Sequence, residues 1–284
     1  MSALDLLATW ELQPAQSPSA GVTDAQATIA DAGETDRIHS WASVTKLLTA
    51  FCVLRAAESG GISLDEPAGP PGSTVRHLLA HASGLGLDRS ATPVLAQPGR
   101  RRIYSNAGYE ILGELVAQRA GRPFAEQLAE AVLEPLGMSA TALEGTPAAG
   151  AVGPLVDLLR FGRELLEPTL VSEQTLAEAT RVAFPGLDGV LPGFGRHNPN
   201  DWGLGFEIRD DKDPHWTGRA NSPQTFGHFG QSGSFLWVDP AVGLACAALT
   251  SEPFGPWAAR AWPIFSDAVL AEFGSQRAGR EADG

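Results

Sequence analysis

The chain has 284 residues, 43% hydrophobic and 19% charged, a globular composition long enough for one large domain or two interleaved subdomains. A formal net charge of −13 excludes non-specific binding to nucleic acid or to an anionic membrane surface. No apolar run reaches the roughly 18 residues needed to span a bilayer, and the opening MSALDLLATWELQPAQ lacks the basic start and long apolar core of a signal peptide. That opening reads instead as a short amphipathic helix, and a cytoplasmic protein is expected. Cys52 and Cys246 lie in apolar stretches and are expected as buried free thiols.

Between about residues 20 and 42, two alternating segments, AGVTDAQ–ATIAD and RIHSWAS, flank the turn-like Ala32-Gly33-Glu34 and read as a β-hairpin. Ser43 follows at once. From Val44 the pattern is helical: Leu47, Leu48, Phe51, Leu54 and Ala57 share one face, and Gly60-Gly61 ends it. From about 62 to 200 no strand is expected. Helices are expected at Val75–His81, with Thr74 as N-cap, and near Ala107–Arg119, closed by Gly121. Two more are expected near Phe124–Leu133 and Val156–Leu166. The Gly- and Pro-rich stretch from Phe184 to Pro199 reads as a surface loop. Strand patterns return at Trp202–Ile208, Gly233–Val238 and Val242–Thr250, with a turn at Asp239-Pro240. His228 lies on a further strand-like segment. A helix from about Trp257 to Phe273 follows, and the tail RAGREADG is expected to fray. This order predicts an α+β fold in a single domain, 1–284. An antiparallel sheet from both chain ends, about 1–60 plus 200–284, is flanked by helices, and a helical subdomain of about 61–199 is inserted beside a cleft.

Of the 20 basic residues, 18 are Arg; the two lysines are Lys46 and Lys212. Lys212 sits in DDKD and reads as a solvated surface charge. Lys46 lies inside an apolar helix, where Arg could not lose its proton but a buried Lys can. With Ser43 at the helix start, Lys46 falls one turn on, on the same face. A neutral Lys there can take the serine proton, and the helix N-terminus favours the developing alkoxide. Tyr104-Ser105-Asn106 precedes another helix. Tyr104 is a phenol whose pKa a nearby ammonium would lower, fitting it to shuttle protons. Asn106 can donate to a substrate carbonyl. In His228-Phe229-Gly230-Gln231, Gly230 leaves room for a substrate to approach the backbone. The Gln231 N–H can form an oxyanion hole with that of Ser43. Each motif also has a plain structural reading: a chance tetrapeptide, an N-cap Asn beside a rim Tyr, a hydrogen-bonded His.

Taken in order, Ser-x-x-Lys, Tyr-x-Asn and His-x-Gly resemble the three-motif set of class C β-lactamases, DD-peptidases and their esterase and D-aminopeptidase relatives. This is the serine β-lactamase and penicillin-binding-protein-like family. TVRHLLAHASGL, GISLDEPAG, YSNAGYEILGELV, LEPLGM and WGLGF look like family segments, and the resemblance spans roughly residues 20–270. It implies a β-lactamase/DD-peptidase-like fold with Ser43 as nucleophile and Lys46 and Tyr104 as the general-base pair. It implies Asn106, His228, Gly230 and Gln231 as substrate-binding residues, no cofactor or metal, and a small-molecule acyl substrate. His228 stands where β-lactamases of this type carry the Lys of a Lys-Thr-Gly triplet, and Phe229 stands for its Thr. A solvated His is mostly neutral at pH 7 and Phe has no hydroxyl, so carboxylate recognition is weakened. The expected function is a serine hydrolase that works through an acyl-enzyme on small esters or amides. The alternatives are a D-aminopeptidase or weak β-lactamase and, from another class, a non-catalytic ligand-binding or sensor module, which would need none of Ser43, Lys46 and Tyr104.

His77 and His81 share the i, i+4 spacing of a metal pair but have no intervening Glu and no clear third ligand, and the resemblance, through the segment HLLAHASGL, implies that they are structural. Gly230-Gln231-Ser232-Gly233-Ser234 lacks the last Gly of G-x-S-x-G, which sets aside an α/β-hydrolase.

Overall fold

The computed structural model describes residues 2–12, 17–89 and 94–274. A 3-10 turn at Ala3–Thr9 precedes strands β1 (Ser19–Thr23), β2 (Thr28–Ala32) and β3 (His39–Ser40) and helix α1 (Thr45–Glu58). The middle carries α2 (Val75–Leu79), α3 (Asn106–Ala120), α4 (Phe124–Leu128), β4 (Ala142–Leu143), β5 (Ala151–Gly153), α5 (Leu155–Leu166), α6 (Glu173–Ala179), β6 (Gly189–Leu191) and β7 (Gly195–His197). Then come β8 (Glu207–Ile208), β9 (Phe226–Gly230), β10 (Ser234–Asp239), β11 (Leu244–Leu249) and α7 (Pro256–Val269).

The six-stranded sheet runs β2-β1-β11-β10-β9-β8, and every neighbouring pair is antiparallel. It is the expected α+β arrangement, with strands from both ends of the chain meeting where β1 pairs with β11. Both faces are covered, so β10 and β11 are apolar without alternation. Leu236, Val238, Ala245, Ala247 and Leu249 face the core shared with α1 and α5. Phe235, Trp237, Cys246 and Ala248 face the core made with the N-terminal turn and α7. Helix α1 is buried on all sides from Thr45 to Leu54 rather than along one stripe. Both cysteines are buried free thiols, and burial raises their pKa, that of Cys52 to about 12.

Several expected elements differ in detail. The first hairpin turns at Asp24–Ala27, not at Ala32-Gly33-Glu34. The Asp24 carboxylate accepts from Gln26 N and Ala27 N, and Thr23 Oγ1 donates to Ala27 O. His39–Ser40 pairs with β5 in a separate small sheet. The middle of the chain, expected to hold no strand, holds four short ones, and the expected loop at Phe184–Pro199 contains the hairpin β6–β7. Two- and three-residue strands carry too little alternation to register as a pattern. Helix α2 stops at Leu79, and His81 leaves it with φ +53. The tail RAGREADG lies outside the described residues. No described helix is long and apolar enough to cross a membrane.

Candidate active site

Ser43 sits in a single 3-10 turn, Ala42–Val44, that runs directly into α1. Ala42 before it has φ +44, a conformation L-residues avoid at a cost of about 1–3 kcal/mol. The strain is held by close packing: Trp41 is fully buried and donates its indole N–H to Gly153 O at 3.0 Å. Strand β9 presses on the same turn. A Cβ at Gly230 would lie 2.4 Å from Trp41 O and 2.5 Å from Ser234 Oγ. The glycine therefore lets the strand approach the nucleophile turn closely.

Lys46 Nζ points back along α1 to within 3.3 Å of Ser43 Oγ. It also lies 2.7 Å from Asn106 Oδ1 and 2.8 Å from Ala148 O. Its side chain is fully buried, and that desolvation lowers its pKa to about 7 against the opposing pull of Asp88 and Glu110. Asn106 opens α3 behind the N-cap Ser105, whose hydroxyl accepts from Gly108 N. The Asn106 amide nitrogen donates to Asp88 Oδ1 at 3.1 Å.

Tyr104 lies beneath this amine: Lys46 Nζ is 4.8 Å from its ring centroid, over the face. Burial raises the phenol pKa well above the ordinary value, and a hydrogen bond with Ser43 only partly opposes it. The expected lowering is reversed, because desolvation outweighs an amine that meets the ring rather than the hydroxyl. The ring packs on His81 at 4.5 Å, and His81 Nδ1 accepts from Ser105 N. Two residues earlier, the buried Arg102 donates to the carbonyls of Ala80, Ala183, Phe184 and Asn200, so one guanidinium ties together three loops around Tyr104.

His228 is buried, not solvated. Its Nδ1 is 2.6 Å from Phe229 O, which can only accept, so Nδ1 carries the hydrogen. Nε2 is then bare and faces the Tyr104 hydroxyl at 3.5 Å. Burial, helped by the nearby Lys46, lowers its pKa to about 3. The imidazole is neutral throughout the physiological range. Phe229 does not stand in for a hydroxyl donor; it packs among Phe194, Trp216, Phe254 and Trp262.

A cavity of about 80 Å³ opens on Ser43, with Tyr104, His228 and Gln231 around it and Leu191, Pro192, Trp202, Glu207 and Phe229 as walls. Leu191 and Pro192 come from the unexpected hairpin β6–β7. Neither Lys nor Arg lines this cavity. Among the described residues no group of His, Cys, Asp and Glu is arranged to hold a metal ion. His77 instead shares a hydrogen bond with Thr74 and stacks on Phe184 at 4.3 Å.

Behind the cavity wall lies a buried cluster that the sequence concealed. Lys212, expected on the surface, is 5% exposed and pairs with Glu207. Glu207 also accepts from His215 Nε2 and Trp216 Nε1, each at 2.9 Å. Burial would raise Glu207, but His215 and Lys212 beside it hold it down at about 2. The run DDKD hid this because only the fold carries Lys212 inward. Lys212→Ala, which strands a buried carboxylate, is expected to cost about 3–5 kcal/mol in chemical denaturation. Adding Glu207→Gln to that variant should recover part of the loss, and a Lys212→Ala protein as stable as wild type would show that the pair carries no weight.

Comparisons with known proteins give the family. The family model described as Beta-lactamase matches residues 13–270. A beta-lactamase from Mycobacterium bovis, known from its crystal structure, is 52% identical, covers 96% of this chain and 100% of its own, and superposes with a TM-score of 0.93. Esterase EstB from Burkholderia gladioli is 24% identical over 83% of each chain. The D-alanyl-D-alanine-carboxypeptidase/endopeptidase AmpH of Escherichia coli is 24% identical over 39% of this chain, and the match spans 38% of AmpH. The folded arrangement of Ser43, Lys46, Tyr104 and His228, together with a family match across almost all of the chain, shows that the protein belongs to the Beta-lactamase family.

Proposed function

We propose that this chain is a serine hydrolase that acts through an acyl-enzyme on small, uncharged esters or amides, in the manner of a carboxylesterase. The observation that carries the reading is the hydrogen-bond count at Lys46. Asn106 Oδ1 and Ala148 O both accept, so a neutral amine spends its two hydrogens on them and turns its lone pair to Ser43. A pKa of about 7 keeps that amine substantially unprotonated near neutrality. The other candidates do not serve: the phenol of Tyr104 stays protonated, and His228, at about 3, is much less basic than Lys46.

In this mechanism Ser43 Oγ attacks the carbonyl carbon while its proton passes to Lys46. The Ser43 and Gln231 amides hold the oxyanion, and Asn106 orients the substrate. Lys46, beside Ser43 Oγ, then returns that proton to the leaving group, while the Tyr104 hydroxyl faces His228 Nε2 and stays protonated. Water repeats the sequence on the acyl-enzyme with Lys46 again as base. The narrow cavity suits a short acyl group. Its lack of a cation, with Lys212 committed to Glu207, disfavours a free carboxylate on the substrate. The name of esterase EstB agrees with this choice.

The 52% identical relative described as a beta-lactamase favours a second reading, hydrolysis of β-lactams. One experiment separates these enzymes from a non-catalytic binding module. A fluorophosphonate probe is expected to add its mass to the peptide containing Ser43, and an equimolar label absent after prolonged incubation would rule out a reactive serine. A fluorescent penicillin on the same peptide would support the second reading.

A further inference from the structure

We infer that Asp88 is a positioning residue for the base: by holding the Asn106 amide it directs the Lys46 lone pair at Ser43. The inference rests on reading Lys46 as that base. A carboxylate only accepts, so the end of Asn106 that meets Asp88 Oδ1 at 3.1 Å is its nitrogen. The oxygen end must then face Lys46, which it does at 2.7 Å. The alternative orientation would aim an N–H of Asn106 at Lys46, where it would compete for the lone pair and quench the base. Asn106 cannot choose by itself, since its two ends are nearly the same shape. Asp88 makes the choice from the rim of the cleft, three hydrogen bonds from the serine: Asp88 to Asn106, Asn106 to Lys46, Lys46 to Ser43 at 3.3 Å.

Charge adds a second effect. The groups acting on Lys46 are Tyr104 and Tyr109 under and beside it, His81, His228, Glu110 and Asp88. Both phenols and both imidazoles are neutral near pH 7, each held so by burial. Glu110 is paired with Arg89 at 3.3 Å. The carboxylates of Asp88 and Glu110 both raise the proton affinity of Lys46 against its desolvation, Asp88 the more strongly. Removal of the Asp88 carboxylate shifts Lys46 toward the neutral form at lower pH.

The test is the pH profile of kcat/KM for p-nitrophenyl acetate, measured from pH 5.5 to 9 on wild type, Asp88→Asn and Asp88→Ala. Wild type should rise through an acid limb near pH 7. Asp88→Asn still offers an acceptor to Asn106 but no charge. It should keep the plateau within about threefold and move the limb down by roughly 0.3–1 pH units. That displacement should shrink in 1 M salt, which screens an exposed carboxylate. Asp88→Ala loses the lock as well, so its plateau should fall about tenfold. A limb unmoved in Asp88→Asn overturns the role of Asp88 and leaves the Lys46 reading standing. A lowered plateau with an unmoved limb in Asp88→Ala does the same, marking a merely structural residue. A wild-type profile flat from pH 6 to 8 overturns the Lys46 reading, and this inference with it.

Discussion

Ser43→Ala is expected to reduce hydrolysis of an activated ester by about 10⁴-fold or more while leaving the melting temperature within a degree or two. The serine is half-buried in a turn held by backbone contacts and by Trp41, so loss of one hydroxyl disturbs little packing. Lys46 should prove as sensitive. Lys46→Met keeps the stem, removes the base, and should fold and be inactive. Lys46→Arg should be nearly as damaging, because a guanidinium stays protonated and has no lone pair to offer the serine. It also places a larger, permanent charge where the side chain has no exposure to solvent. Comparison of the two variants discriminates between roles. A base is lost in both, whereas a group that only supplies positive charge is replaced by Arg. Substantial activity in Lys46→Arg would reassign Lys46 as an electrostatic partner.

A short p-nitrophenyl ester is expected to exceed a chromogenic cephalosporin in kcat/KM by about two to three powers of ten. The cephalosporin carries a carboxylate, and one missing charge-assisted hydrogen bond costs about 1.5–3 kcal/mol, with roughly 1 kcal/mol more for a missing hydroxyl. A solvated His228 would regain its charge as pH falls toward 6, and the cephalosporin would gain on the ester. The buried His228 reverses that expectation. Its pKa of about 3 lies far below the Lys46 value of about 7, so between pH 8 and 6 the imidazole stays neutral while the base protonates. Both substrates should slow together over that interval, and their ratio should hold. A ratio that moves toward the cephalosporin by tenfold between pH 7.5 and 6 would mean that His228 titrates there. Exchange of His228-Phe229 for Lys-Thr is a poor test, because Phe229 is wedged among four aromatic rings and its truncation alone costs about 3–5 kcal/mol.

The long apolar elements were legible in the sequence. Helix α1, α3, the last strands and α7 announced themselves through periodicity and through their Gly and Pro boundaries. Ser43 and Lys46 were legible because a lone Lys in an apolar helix of an Arg-rich chain conflicts with its surroundings. The structure brings them together with Tyr104, Asn106 and His228 as the motif order implied. Contacts between distant segments were not legible. Glu207 and Lys212 are five residues apart in a charged run, and only the turn after β8 carries the amine inward onto the carboxylate. Asp88 has no motif of its own and meets the site through Asn106, which only the fold brings to it. The protonation states of Tyr104 and His228 depend on burial, which a tripeptide motif does not encode.

The joining of β1 to β11 has a consequence for the newborn chain. During synthesis β1 has only β2 for company, and an isolated two-stranded hairpin is marginal in water. At 5–20 residues per second, the wait for β11 is roughly 10–45 s. Throughout it the apolar flank of β1 stands open to aggregation. The nucleophile turn waits as well, since β9, which presses Gly230 against Trp41 and Ala42, is also translated late. The emerging polypeptide thus bears Ser43 early, yet the turn that holds it is not completed until the ladder closes. High contact order makes that closure slow, and a chaperone that shields the early hairpin would raise the yield of active enzyme more than one that acts on the helical middle.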